Sequence, residues 1–310
     1  MKTITPYVEL WEQPQTDNPV DMFKHIERCG RICYKSEDKI TDTSYEKFIN
    51  MLDNYKHRSV FEHGTVYITI PIGSPMYDTN YCDKTDIVDY FNRNPYSNVQ
   101  KVTYHLYKDV DDKKLQEFFL EVNGPINVYY ITTNYRVLVE NTFYSSLGYH
   151  NTSKCKSFKE LLTPYCSGIP TKHHEKRITV HWTSSRAIMD EFLRHRVMSP
   201  SAESTRYCNY SKGKFGGSVT FVLPTNNLPE EAIAEFIKAY SDAEQHYFKL
   251  LLLGIKPQNA RDVLPFGLKA EYVMTGTYKQ WSDFLALRTG SGAHPDAIHL
   301  AKQLENLLFV

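Results

Sequence analysis

The stretch that most limits what this chain can become is RITVHWT followed by SSRAIMDEFLRHRVMSP, Arg177 to Pro200. RITVHWT, Arg177–Thr183, alternates β-branched or aromatic residues with polar ones, the period of a strand with one face buried. Ser184 has the chemistry of an N-cap, and Ile188 and Phe192 share a face of the helix it would open. Pro200 drives Ser199 out of the α region, so the spacing predicts a helix that stops there. Successive helical residues turn by about 100°, which points Arg194 and Arg196 roughly 200° apart, toward two ligand groups or two subunits.

Elsewhere the apolar spacing predicts two helices between Asp21 and Tyr55, broken by the polar Ser36–Thr43. VFEHGTVYITIPI predicts a strand at Thr65–Ile70, stopped by Pro71. Gly73 to Lys176, rich in Tyr and Asn, reads as an insertion of roughly a hundred residues, with a strand at INVYYITT and a helix from Tyr135. Beyond a polar loop near Ser211–Ser218, LPEEAIAEFIKAYSDAEQHYFKLLLLG is a long amphipathic helix with Pro229 near its start and Gly254 at its end. Further helices are expected around Pro257–Leu264, Tyr278–Arg288 and Pro295–Leu308. Nothing in the Gly73–Lys176 insertion resembles a repeat or a low-complexity linker.

With 36 basic and 36 acidic residues the chain has no general attraction for nucleic acid or anionic membrane, so any anion site must be local. The longest apolar run, Leu250–Gly254, is too short for a bilayer, and MKTITPYVEL lacks the core of a signal peptide; a cytoplasmic protein is expected. The six cysteines form no CxxC pair and read as reduced thiols. Cys155, Cys166, His173 and His174 match no common zinc-ligand spacing, so no metal is expected. GxGxxG, GxxxxGK[ST] and GxSxG are all absent, and the Gly-rich RTGSGAH, Arg288–His294, is too short to argue from.

The densest chemistry lies in RHRVMSPSAESTRY, Arg194–Tyr207. Arg194, His195 and Arg196 alone would read as cations at a helix C-terminus. The continuation through Ser199, Ser201, Ser204, Thr205 and Arg206 adds hydroxyl and guanidinium donors suited to a phosphate and a sugar. Taken singly, His57 reads as a polar residue at a helix end, Glu62 as a carboxylate beside His63, and Arg261 and Arg288 as helix arginines.

Arg-His-Arg, seven residues, Ser204, then Arg206 and Tyr207 resembles the signature of flavin-dependent thymidylate synthases. RICYKS (Arg31–Ser36), HRSVFEH (His57–His63), NARDVLP (Asn259–Pro265) and TGTYKQWSDFLALRTGSGAH (Thr275–His294) are similar to further segments of that family, in the same order. The resemblance implies an α+β fold, a mixed or antiparallel sheet with flanking helices. Residues 1–72 and 177–310 would make the catalytic domain, with 73–176 inserted. It also implies a methyltransferase of dTMP biosynthesis: reductive methylation of dUMP with FAD as cofactor, NADPH and 5,10-methylenetetrahydrofolate as co-substrates, and a homotetramer with shared active sites.

The resemblance makes Arg288 the catalytic, ring-ionising arginine. It puts His57, Ser59, Arg194, His195, Arg196, Ala202, Thr277, Lys279 and Asp283 at FAD. Glu191, Arg194, Ala202, Glu203, Ser204, Thr205, Arg206, Arg261 and Arg288 fall at the nucleotide. Thr277, Lys279 and Asp283 stand where the family usually has Asn, Arg and His or Asn; lysine lacks the bidentate fork and Asp283 adds negative charge. Glu191 stands where Gln is common, Ala202 where Glu or Gln is common, and His294 where Gln or Asp is usual. TTNYRVLVEN, Thr132–Asn141, echoes the family's Thr-Gly-Asn-x-Arg, making Asn134 and Arg136 candidates for the missing amide and guanidinium. The plainer reading is a helix start capped by Asn134, with Arg136 solvated.

Carbon 5 of uracil is a poor nucleophile, and conventional thymidylate synthases activate it by adding a cysteine at carbon 6. No cysteine here follows a proline or sits beside a histidine in that manner, so the flavin route is the one implied. A (d)UMP C5-hydroxymethylase on the same scaffold and a non-catalytic nucleotide-binding homologue are the alternatives.

Overall fold

A computed structural model describes residues 1–78, 81–140, 142–143, 156–157 and 162–309. In chain order the elements are β1 Lys2–Ile4, β2 Tyr7–Trp11, α1 Pro19–Tyr34, α2 Ser44–Asn54, β3 Thr65–Ile72, α3 Tyr81–Arg93, β4 Asn98–Tyr104, α4 Lys113–Glu121, β5 Ile126–Asn134 and α5 Tyr135–Glu140. There follow the short β6 Thr142–Phe143, β7 Lys156–Ser157 and β8 Cys166–Ser167, then β9 Arg177–Ser185, α6 Arg186–Phe192, β10 Ser199–Ala202 and β11 Thr220–Val222. The chain ends with α7 Glu230–Leu252, α8 Pro257–Ala260, β12 Lys269–Thr277, α9 Tyr278–Arg288 and α10 Pro295–Phe309. Among the described residues no helix is long and apolar enough to cross a membrane. The architecture is α+β, as expected.

The chain forms two compact units, one of residues 1–12, 27–48 and 178–310, the other of 13–26 and 49–177. The stretch 73–176 thus shares its unit with 13–26 and 49–72.

In the first unit the strand order is β10-β12-β9-β2, with β10 antiparallel to β12 and β2 antiparallel to β9. Strand alternation sorts the two faces. Val180 and Trp182 of β9 and Tyr272 and Met274 of β12 pack with Ile188 and Phe192 of α6, Trp281 and Phe284 of α9, and Leu300 and Leu304 of α10. Val273 turns the other way, to Trp11 and to Cys29 and Ile32 of α1. Thr179 and Thr275 share that second face, their hydroxyls 2.7 Å apart.

Two local expectations are corrected here. The helix expected to reach Ser199 ends at Phe192, with Leu193 as its C-cap, and Ser185, not Ser184, is its N-cap, accepting from Ile188 N. Ser199 pairs with Thr275 and Ala202 with Tyr272, so the chain joins the sheet as β10 at the residue where the helix was expected to stop, with residues 193–198 between them outside the helix. Arg194 and Arg196 therefore lie in a turn beyond the helix, and the angular argument for their divergence falls away.

In the second unit the order is β4-β5-β3-β8. β3 runs through Pro71 to Ile72, past the stop expected at the proline. On one flank β8 pairs only with Tyr67 and Ile68, so at Pro71 that edge carries no ladder for the missing N–H to interrupt. The echo segment turns from β5 into α5 at Asn134, whose Oδ1 accepts from Val137 N at 3.2 Å. Asn134 does cap, but Arg136 is not simply solvated: its Nη1 donates to Glu62 at 2.6 Å and its Nε to Glu140 at 2.6 Å. Below it the buried Arg177 donates to the Glu62 carbonyl at 3.0 Å and to Thr65 Oγ1 at 3.3 Å, and burial pushes its guanidinium down to about 10.

Glu62 is buried, so removing Arg136 strands a carboxylate in the protein. Arg136→Ala is expected to lower stability by about 1–3 kcal/mol. It should appear as a lower urea midpoint at unchanged slope; an unchanged midpoint would show that the pair contributes nothing.

Candidate functional site

The site residues of the first unit are set by the ends of β9 and β12. β12 feeds α9 through Thr277, whose side chain accepts from Gln280 N at 3.2 Å while Gln280 Oε1 accepts from Thr277 N at 2.8 Å, a reciprocal capping box. The other end of the Gln280 amide donates to Val197 O at 2.6 Å, fixing the turn that carries Arg194–Arg196. Gly276 permits this closeness: a Cβ there would stand 2.6 Å from the Met198 methyl and 3.1 Å from Gln280 Oε1.

On that turn Arg194 and Arg196 are exposed, and among the described residues neither has a carboxylate partner. The His195 ring lies edge-on to Phe284 at 5.3 Å. Burial, reinforced by Arg288, holds its imidazole below the ordinary range against the opposing pull of Asp283. Arg288, in the last turn of α9, reaches back to the end of α6, donating through Nη2 to the Glu191 carbonyl at 2.6 Å and through Nη1 to Glu191 Oε2 at 3.3 Å. Its guanidinium sits 5.6 Å from the centre of the Phe192 ring, and among the described residues its buried Nε finds no hydrogen-bond partner.

Past β10 the chain from Ala202 to Tyr207 is held from several sides. Glu203 N donates to Glu271 O at 2.8 Å and Ser204 N to Cys33 O at 3.1 Å. Glu203 itself is buried, its Oε2 accepting from Lys269 Nζ at 3.1 Å and Glu271 N at 3.2 Å, and its Oε1 facing the Tyr210 hydroxyl at 3.4 Å. Arg261 Nη1 donates to Thr205 Oγ1 at 2.9 Å, and Arg206 points outward beside Tyr207. Arg261, Thr205 and Arg206 are thereby gathered on one unit.

Three of the residues expected at the cofactor make other commitments. Thr277 is the helix cap, and Lys279 pairs with Asp283 at 2.9 Å in an exposed i,i+4 bridge. His57 and Ser59 are exposed in the second unit, at the start of the 3-10 turn Arg58–His63.

Sequence reasoning missed what holds Glu203 in place. Glu271 accepts from Lys269 at 2.6 Å and Lys35 at 2.8 Å, and His181 lies 3.4 Å away, itself 2.8 Å from Glu9. Burial works to raise the Glu271 carboxyl, but the His181 imidazole 3.4 Å away and the two ammonium charges hold it well below the usual range. The signal lay in KAEYVMTGT, where Lys269 and Glu271 fall on one face of a strand.

Burial raises four thiols, Cys166 to about 12, with Cys29, Cys33 and Cys208 also pushed up, so none of them is a ready thiolate. Cys155 lies outside the described residues, and among those described no cluster of His, Cys, Asp or Glu could hold a metal.

A model of the family described as thymidylate synthase complementing protein matches residues 152–309, just over half of the chain. The chain belongs to that family. Among curated relatives, the flavin-dependent thymidylate synthase of Sulfurisphaera tokodaii is 33% identical over 124 residues, 40% of this chain and 46% of that one. That of Wolinella succinogenes is 30% identical over 132 residues, 40% of this chain and 62% of its own, and a probable one from Paramecium bursaria Chlorella virus 1 is 26% identical over 140 residues, 42% and 65%. The chain thus spans between 46% and 65% of the length of these relatives. A solved structure of the UMP/dUMP methylase PolB from Streptomyces cacaoi, bound with 5-Br dUMP, aligns over 99% of this chain and 91% of its own at 16% identity and a TM-score of 0.41, a likeness too loose to bear on the site.

The Glu271 cluster yields a pH test. A carboxylate whose folded pKa is depressed contributes stability that is present above its unfolded value, about 4.3, and lost as pH falls from there toward the folded value. Glu271→Gln should therefore be less stable than the parent at neutral pH and converge with it below about pH 4. Parallel melting curves across that range would remove the cluster from the acid limb.

Proposed function

We propose that the chain is a flavin-dependent thymidylate synthase, converting dUMP to dTMP with FAD, NADPH and methylenetetrahydrofolate. The observation that carries this reading is the gathering, on one unit of a chain with no net charge, of two uncommitted arginines at Arg194 and Arg196, the Arg288 guanidinium with an orphaned donor, and the Arg261–Thr205–Arg206 group. Cationic forks of this kind suit phosphates and a ring oxygen.

The donor set fits the flavin at the turn and not at the start of α9. Arg194 and Arg196 would hold its phosphates, with His195 alongside, whereas Thr277 serves as a cap and Lys279 is bridged to Asp283. When bound, FAD supplies hydride chemistry that no side chain can. The chain's own residues bind and polarise: Arg206 and Arg261 grip the nucleotide phosphate, Ser204 and Thr205 hold it in register, and Arg288 donates to a ring oxygen where charge accumulates as carbon 5 becomes nucleophilic. The raised thiols favour this route over covalent addition at carbon 6. A homotetramer sharing active sites and a cytoplasmic location belong to the same reading.

Incubating the purified protein with dUMP, FAD, NADPH and methylenetetrahydrofolate should yield dTMP; a hydroxymethylated product from dUMP or UMP would move the assignment to the hydroxymethylase. Arg288→Ala should lower turnover by about 10²–10³ while weakening dUMP binding far less, because its interaction strengthens as the ring gains charge. Near-normal turnover in that variant would sink the role.

Flavin retention gives an independent check. Arg194→Ala and Arg196→Ala should each reduce the flavin absorbance that copurifies, while Arg136→Ala, whose partners are Glu62 and Glu140, should leave it unchanged. The opposite pattern would put the cofactor at the second unit's echo segment.

A further inference from the structure

Arg194 and Arg196 stand exposed on a turn that is held at few points. At its start the N–H groups of Arg194 and His195 donate to Glu191 O at 3.3 Å and Phe192 O at 3.0 Å, and from Ser199 onward the chain is paired into the sheet against Thr275. Among the described residues, the main chain of Arg196, Val197 and Met198 meets one hydrogen-bond partner between those limits, the Gln280 amide, whose Nε2 donates to Val197 O at 2.6 Å. Gln280 is half-buried and its Oε1 is committed to Thr277 N at 2.8 Å. The amide therefore has one orientation: turned over, it would set oxygen against the Val197 carbonyl and nitrogen against the Thr277 N–H.

Resting on the reading that Arg194 and Arg196 hold the flavin phosphates, we infer that Gln280 is a positioning residue for the cofactor, acting through Val197 without touching the ligand. A guanidinium grips a phosphate with parallel donors, and that grip is strongest when the main chain carrying it is fixed before the ligand arrives. Arg196 immediately precedes Val197 and Arg194 lies two residues further back, so anchoring the Val197 carbonyl removes freedom from the stretch that presents both forks. Met198 adds a second point of contact, its methyl seated where a Cβ on Gly276 would stand 2.6 Å away. Lys279 and Asp283 are taken up by one another, so the start of α9 serves the arginine turn through an uncharged amide rather than through its charges.

The test is titration of FAD into the full-length protein, read by flavin fluorescence, for the parent, Gln280→Glu, Gln280→Met and Arg196→Ala, with a melting curve for each. Glutamate keeps an oxygen for Thr277 N but sets a second acceptor against Val197 O, whereas methionine fills the space and makes neither bond. Both should bind FAD about five- to ten-fold more weakly, while the helix cap, and the melting temperature that goes with it, should survive only in Gln280→Glu. Affinity that follows the melting temperature instead, lost with methionine and kept with glutamate, would leave Gln280 a helix cap alone and overturn the inference. Combining Gln280→Glu with Arg196→Ala separates positioning from repulsion between the new charge and the phosphates. Acting through the turn, Gln280→Glu should weaken binding by less than about two-fold in that background; an undiminished loss overturns the inference. Unchanged FAD affinity in both Gln280 variants also overturns it, while leaving the cofactor site standing. A parent that takes up no FAD, or an Arg196→Ala variant that binds it as the parent does, removes the functional reading at the turn and the inference with it.

Discussion

Glu271 is the residue on which the first unit turns. Its carboxylate joins Lys35 at the end of α1, Lys269 at the start of β12 and His181 on β9, and its main chain holds Glu203 through both N–H and carbonyl. Each of these charges is costly to desolvate, and only their mutual arrangement offsets that cost. Trp11 stacks on His181 at 4.7 Å, and the Arg28 guanidinium lies 3.7 Å from the centre of the Trp11 ring, closing the cluster toward α1. The segment that offers Ser204, Thr205 and Arg206 is thus anchored by electrostatics at its first residue rather than by hydrophobic packing.

Much of this was legible in the sequence where one physical signal dominated. The amphipathic α7, the helix of Tyr278–Arg288 and the strand ending at Asn134 were all readable from period and punctuation. For the RHR segment the apolar period predicts helix as far as the proline, whereas the helix ends at Phe192 and the chain then pairs Ser199 with Thr275, a nonlocal contact that no local signal encodes. β12 went unread for a related reason: its half-buried charges at Lys269 and Glu271 look like surface residues until their partners from α1 and β9 are known.

The candidate site divides along the same line. Arginines that the motif set side by side in sequence stay available in the fold, whereas residues singled out only by position relative to a pattern were taken by local structure. Thr277 became a cap because it precedes a helix, and Lys279 met Asp283 because four residues is one turn. Side-chain chemistry alone could not separate these cases; the commitment of each donor could.

Gln280 joins two jobs in one amide, closing the helix start with its oxygen and holding Val197 with its nitrogen. Fraying of the first turn of α9 and release of the arginine turn are therefore a single local opening rather than two. Any anion that rigidifies Arg194 or Arg196 draws on the same equilibrium, so its binding slows amide hydrogen exchange at the start of a helix it never touches.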